Sequence, residues 1–214
     1  MTGAESNTKP RAGRPKDSVK RLAILEAAIG LFLKRDFMDV TMDAIAAEAN
    51  VSKLTVYSHF GDKEVLFSEA VRHHQMTHIP PALLDFPDTV PLRKIIEMMT
   101  AKYFDTLNTE KNVMGFQLLM RPRVQSAGIP QMVWRDGPAR MIPSLARLFE
   151  HRAQKGEMSP QEDYASAASL LLTLSRGQLF YELILGIREE VSAEERSAHL
   201  EQVVRVFCTT YAIK

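Results

Sequence analysis

The chain has 214 residues, enough for one or two domains. Hydrophobic residues make up 45% and charged residues 25%, the balance of a globular protein able to bury a sizeable core. The most apolar stretch, residues 165–186, contains Arg176 and Glu182 and is a poor membrane span, and a single cysteine, Cys208, excludes an internal disulfide.

The beginning of the chain is polar and basic, with no apolar signal segment, which fits a cytoplasmic location. Net charge is +1 but unevenly placed: residues 1–21 hold six basic residues against Glu5 and Asp17, leaving −3 for the rest. A basic arm over residues 1–16, rich in Pro, Gly and Thr, reads as flexible, and suits a polyanionic partner at that end. A solvated tail without a partner is the other reading of the same residues.

From Asp17 onward the pattern is helical. Leu22, Leu25, Ile29 and Phe32 recur at spacings of three, four and three, making one apolar face that should end near Arg35-Asp36. Asp36 is expected to mark the turn, because Asp tolerates the left-handed backbone better than most side chains. Two short helices follow, over Met42 to Ala49 and Lys53 to His59. A longer one starts at Lys63 and runs toward Pro80-Pro81. Asp85 to Pro91 reads as a loop between a head and a body. Helical patterns then cover 91–108, 113–126, 131–155, 161–187 and 193–212, with no useful run of period two.

The most informative segment is 41–60. Thr41 is a good N-cap, and Asp43 lies in the first turn, where the helix dipole favours a negative charge. Ala44, Ala46, Ala47 and Ala49 make a slim helix that a second helix can cross closely, with Ile45 facing inward. Asn50 suits the positive φ of a sharp helix end, and Ser52 caps the next helix. Val51 and Val56 have the spacing of a hydrophobic staple. Together these signals spell a helix-turn-helix. Its second helix is expected to present Lys53, Thr55, Tyr57 and His59 outward. Lys53 and Thr55, near the helix start, are best placed for base edges in the major groove of double-stranded DNA. Tyr57 and His59 are better placed for phosphates, and Lys63 opens the next helix as a further phosphate clamp. An ordinary solvated helix face is the alternative.

This segment resembles the TetR family of transcriptional regulators. The matching runs are Ile24-Leu-Glu-Ala-Ala-Ile-Gly-Leu-Phe32, Thr41-Met-Asp-Ala-Ile-Ala46, Val51-Ser52-Lys53, Tyr57-Ser-His-Phe60 and Lys63-Glu-Val-Leu-Phe67. Two positions depart from the commonest pattern, Asp36 and Asn50 standing where glycine is usual. Gly13-Arg14-Pro15-Lys16 is similar to the basic arm of many members, which adds Arg14 and Lys16 to the expected DNA contacts. The rest of the chain is less specifically similar to AefR-like C-terminal bodies, through Asp136-Gly-Pro-Ala-Arg140, Gly177 and Gly186.

The resemblance implies an all-α protein. An N-terminal three-helix helix-turn-helix DNA-binding domain (17–71) would follow the arm. A C-terminal helical domain (72–214) would bind ligand and dimerise. It also implies a homodimer on a palindromic operator, and repression relieved by a small-molecule effector. An activator, or a DNA-binding protein without a small ligand, is left open. Leu170, Leu171, Leu174, Leu179, Tyr181 and Ile184, with Val203, Val204, Phe207 and Tyr211, form helical stripes that serve either a dimer interface or an intrachain core.

The middle helices are rich in methionine and aromatics, which suits an adaptable pocket for a hydrophobic effector. Met98, Tyr103, Met114, Phe116, Met120 and Trp134 are its candidate lining, with Gln178, Arg121 and Arg123 as polar anchors; plain core packing is the alternative. His74 and His78 share a helix face but lack a third ligand nearby, so no metal is expected. Cys208, on an apolar stripe, reads as a small core residue. No G-x-S-x-G, P-loop, H-E-x-x-H, dinucleotide fingerprint or cysteine pair occurs, and neither an enzyme nor a cofactor is expected.

Overall fold

The computed structural model describes residues 15–78, 86–126, 128–211 and 213, and among them every regular element is an α-helix. Residues 1–14 of the expected arm, Arg14 included, lie outside the described residues, as does Pro80-Pro81, while residues 15 and 16, expected in the arm, open a helix instead. Lys16 falls in the first turn of a helix, but its side chain and that of Arg123 are likewise outside them. No described helix is long and apolar enough to cross a membrane. The chain divides into two compact units between Ala70 and Val71.

The first unit contains α1 (Pro15–Lys34), α2 (Met42–Glu48), α3 (Lys53–Phe60) and the start of α4 (Lys63–His78). Its core takes Ile24, Ala28, Ile29 and Phe32 from α1, Ile45 from α2, Val56 and Phe60 from α3, and Leu66, Phe67 and Ala70 from α4. Leu22, expected on the apolar face, is instead 48% exposed. Phe67 packs edge-on against Phe32 at 4.7 Å and against Phe37 at 5.2 Å. Such aromatic pairs contribute about 1 kcal/mol beyond area burial. Arg21 is part of this core's rim: its guanidinium pairs with Glu69 and lies 4.6 Å from the Phe60 ring.

The chain leaves α1 without a left-handed residue at Asp36. Among the described residues, Asn50 is the one non-glycine with positive φ. The turn at 36–39 closes instead through the Asp39 N–H donating to the Asp36 carbonyl at 3.0 Å, a geometry ordinary side chains adopt.

The second unit holds α5 (Leu92–Leu107), α6 (Glu110–Leu119), α7 (Pro122–Ser126), α8 (Ile129–Asp136), α9 (Pro138–Gln154), α10 (Tyr164–Ile184) and α11 (Ala193–Thr210). Two expected long helices are each divided. Pro122 starts α7 afresh, because proline suits a first turn and lacks the N–H that an interior turn needs. Gly137, with φ −109° and ψ −104°, ends α8, and Pro138 opens α9. α10 is the central helix, packed on α9, α5, α11 and α6. Its inward side (Ala167, Ala168, Leu171, Leu172, Phe180) meets Ile95, Ile96 and Met99 of α5, and Leu145 and Phe149 of α9.

The stripe on α11 is intrachain core: Val203, Val204, Phe207 and Cys208 are all buried. Burial raises the Cys208 thiol pKa, which disfavours the reactive thiolate. On α10 the stripe splits. Leu171 is buried, whereas Leu170 and Tyr181 point outward at 38% and 53% exposure.

Candidate nucleic-acid interface

Local signals in residues 41–60 build the site as expected. Thr41 Oγ1 accepts from the Ala44 N–H at 3.1 Å and Ser52 Oγ from the Thr55 N–H at 3.2 Å, so each short helix starts on a side-chain cap. Asn50 has φ 52°, and the Val51 N–H donates to the Ala46 carbonyl at 3.0 Å, closing the left-handed end of the first helix. Gly61, with φ 74°, ends α3 after two turns, and its N–H donates to the Tyr57 carbonyl. Asn50→Gly should therefore leave stability nearly unchanged, while Asn50→Ala should cost about 1 kcal/mol, because Ala keeps the β-carbon and lacks the short polar side chain that lets Asn tolerate the left-handed region. Chemical denaturation of both variants checks this; equal costs would contradict the turn's role.

Val56 and Phe60 hold α3 to the core, which leaves Lys53, Leu54, Tyr57 and Ser58 exposed. Lys53 Nζ lies 2.9 Å from Asp43 Oδ2, tying the start of α3 to the start of α2. The hydrogen bond and charge of Asp43 raise the Lys53 pKa, so the ammonium stays charged.

Three of the expected DNA contacts are differently placed. Thr55 is only part-exposed, and its hydroxyl lies 2.8 Å from Ser52 Oγ. His59 is turned away from the open face: its side chain is 12% exposed, with Nε2 3.0 Å from Asp17 Oδ1 of α1. Lys63 Nζ donates to the carbonyls of Phe37 at 2.8 Å and Val40 at 2.9 Å and sits 4.4 Å from the Phe37 ring centroid. It clamps the α1–α2 turn, leaving little donor capacity for a phosphate.

Leu54 stands on the same face and outside the expected set. At 78% exposure it is the most exposed of the large hydrophobic side chains described. It stands at the second position of α3, where recognition helices approach base edges, and the one apolar feature of the major groove is the thymine methyl. The available signal was an apolar residue at an outward position of the second helix.

The expected effector residues do not converge. Tyr103 is buried beside an enclosed cavity of about 10 Å³ that Thr100, Met141 and Ser175 also line. Phe116 and Met120 line an open cleft of about 420 Å³ with Leu119, Gln125 and Ile184. Met114 lines a different cleft, of about 840 Å³. Met98 and Trp134 are half exposed and line none of these three spaces. Gln178 faces solvent and donates to Glu182 at 2.6 Å. His74 is buried beside Gly115.

Comparison with known proteins bears on both units. Residues 24–70 match the family described as bacterial regulatory proteins, tetR family. Residues 94–213 match the C-terminal domain of AefR-like transcriptional repressors. The chain is 24% identical over 162 residues to the HTH-type transcriptional regulator SrpR of Pseudomonas putida, covering 75% of this chain and 73% of that protein. A TetR-family regulator of Mesorhizobium loti MAFF303099 superposes with a TM-score of 0.79 at 23% identity, over 92% of this chain and 99% of its own. The flavonoid-responsive regulator FrrA superposes with a TM-score of 0.69 at 24% identity, over 90% and 97%.

Proposed function

The chain belongs to the TetR family of DNA-binding transcriptional regulators, with an AefR-like C-terminal domain, and from that premise we propose a homodimeric repressor that a small, largely hydrophobic effector releases from a palindromic operator. The matched families and relatives are regulators, not enzymes. In this reading residues 17–71 form the DNA-binding head and 72–214 the effector-binding and dimerising body.

The observation that carries the reading is the turn from Asn50 to Ser52, which aims an open face of Lys53, Leu54, Tyr57 and Ser58 away from the core. That face enters the major groove. Lys53 and Leu54 read base edges, and the Tyr57 hydroxyl holds a phosphate. Thr41 and Ser52 cap the helices that carry these groups, while His59 and Lys63 brace the head from within. Repression is supported by the AefR-like match, whose description is that of repressors. FrrA, similar in fold, is described as flavonoid-responsive, which fits an effector site in the body. The outward apolar side chains Leu170, Tyr181 and Leu185 of the second unit suit a partner subunit, since two heads must meet half-sites about one turn of DNA apart.

Release follows from a population shift. An effector that binds more tightly to the form unable to span both half-sites draws the dimer off the operator. α4, whose sequence passes from one unit into the other, is the covalent route for that change.

Selection of bound duplexes from a random pool, followed by fluorescence anisotropy over a salt series, tests the reading. Affinity should fall steeply with salt as Lys and Arg displace counterions. Tyr57→Phe should weaken all selected duplexes alike. Leu54→Ala should lose about tenfold (about 1.4 kcal/mol) only on duplexes with thymine at the contacted step, a loss reproduced by uracil in place of that thymine. Absence of any duplex preference in low salt, without effector, would overturn the proposed function.

A further inference from the structure

The larger open cleft of the second unit, about 840 Å³, has an apolar floor of Phe104, Val113, Met114 and Leu183. Its rim carries the carboxylates of Asp105, Glu110, Glu189 and Glu190 against the guanidiniums of Arg188 and Arg196, and both guanidiniums are paired within the protein. The Arg196 guanidinium is bidentate to Asp105, with Nε–Oδ1 2.6 Å and Nη2–Oδ2 2.8 Å. Arg188 Nε lies 2.7 Å from Glu182 and Nη1 2.9 Å from Glu195. Asn108 Nδ2 donates to the Phe104 carbonyl at 2.7 Å, Thr109 Oγ1 to the Thr106 carbonyl at 3.1 Å, and Gln117 Nε2 to the Ile184 carbonyl at 3.2 Å.

Three carboxylates of the rim are left over. Glu110, Glu189 and Glu190 line the cleft, and no ion pair to any of them is seen among the described residues. A complementary ligand brings an apolar body for the floor and a positive charge for the carboxylates.

We propose that this cleft binds a lipophilic organic cation of the arylalkylammonium type. The inference deepens the effector reading and rests on it for its regulatory meaning. The ring lies over Phe104 and Met114, and the ammonium sits among the three carboxylates. Neither an anion nor a neutral alcohol satisfies both features, since the first meets repulsion and the second brings no charge.

The test uses the full-length protein and three probes of similar shape: 1-naphthylmethylammonium, 1-naphthalenemethanol and 1-naphthoate. Isothermal titration is expected to show the ammonium binding at least tenfold more tightly than the alcohol, and the carboxylate more weakly still. The double variant Glu189→Gln/Glu190→Gln should lose most of that preference while leaving alcohol binding and circular dichroism unchanged. Met114→Trp should fill the cleft and weaken ammonium and alcohol together. Equal affinity for the three probes, a preference for the carboxylate, or no binding at millimolar concentration would overturn the assignment.

Operator anisotropy in the same samples separates this inference from the reading beneath it. Ammonium binding that leaves operator affinity intact keeps the cation site and removes its role as effector. A neutral hydrophobic compound that releases operator, while the ammonium does not bind, removes the cation site alone.

Discussion

Gly177→Ala should destabilise the C-terminal body by about 3 kcal/mol, lowering its melting temperature by about 6–12 °C. Gly177 interrupts α10 with φ 61° and ψ −173°, a region of the backbone map that side chains other than glycine scarcely enter. A β-carbon there would lie 2.2 Å from His199 Cε1 and 3.0 Å from both ring nitrogens. The imidazole occupies the break itself. Its Nε2 is 3.0 Å from the Ser175 carbonyl, and its ring centroid is 5.0 Å from that of Phe104. The substitution therefore strains the backbone and displaces α11 from α10 at once. Gly156→Ala is the control, because that glycine has φ 74° but no neighbouring atom within 4 Å, and only the left-handed strain of about 1 kcal/mol applies. Adding His199→Ala to Gly177→Ala should recover part of the loss, since it removes the collision but not the strain. A Gly177→Ala protein that melts like the native one would show that the break in α10 is unnecessary.

Arg152→Met should cost about 3–5 kcal/mol, the usual penalty for removing one partner of a buried ion pair. Arg152 is fully buried. Nη1 donates to Glu157 Oε1 at 2.8 Å and the Asp88 carbonyl at 3.2 Å, and Nη2 to the Pro87 carbonyl at 3.1 Å. Glu157 Oε2 in turn accepts from the Leu92 N–H at 2.6 Å. One guanidinium thus fastens the 86–91 segment and the start of α5 to the end of α9. Methionine fills much of the volume but leaves a carboxylate and two carbonyls without their donor.

Acid should loosen the same region. Burial opposes ionisation of Glu157, but the Arg152 and Leu92 hydrogen bonds outweigh it and hold its pKa below the ordinary 4.5. Hydrogen bonds from Lys155 and His151 bring Asp88 down from 3.8 to about 2. Both folded-state values are depressed, so the stabilisation is present above the unfolded values and is lost as pH falls through the folded ones. For Asp88 the window runs from 3.8 down to about 2. Denaturation across that range should show the native chain losing stability, and Arg152→Met/Glu157→Gln losing less of it. Parallel acid limbs would contradict the share assigned to Glu157, since the variant leaves Asp88 with His151 and Lys155.

The candidate interface shows where reading from sequence stops. Thr41, Asn50 and Ser52 act on backbone groups within a few residues of themselves, so their roles were legible in the order of residues. His59 and Lys63 are placed otherwise than expected because their partners are remote. Asp17 comes from another helix, and Phe37 and Val40 precede Lys63 by 26 and 23 residues. Leu54 was passed over because the reading sought hydrogen-bonding side chains on the outward face. The breaks at Pro122 and Gly137-Pro138 were written in the sequence and yielded to the apolar period running across them.

The sequence by itself determined the helical class, the family and the turn chemistry of the head, because period, caps and left-handed positions are properties of neighbouring residues. Tertiary structure alone decided which outward side chains of α3 stay open and which apolar stripe of the body is core. It also scattered the expected effector residues among separate spaces. Those outcomes depend on which distant group arrives first to satisfy a charge, a donor or an apolar face, and helix spacing carries no record of that meeting.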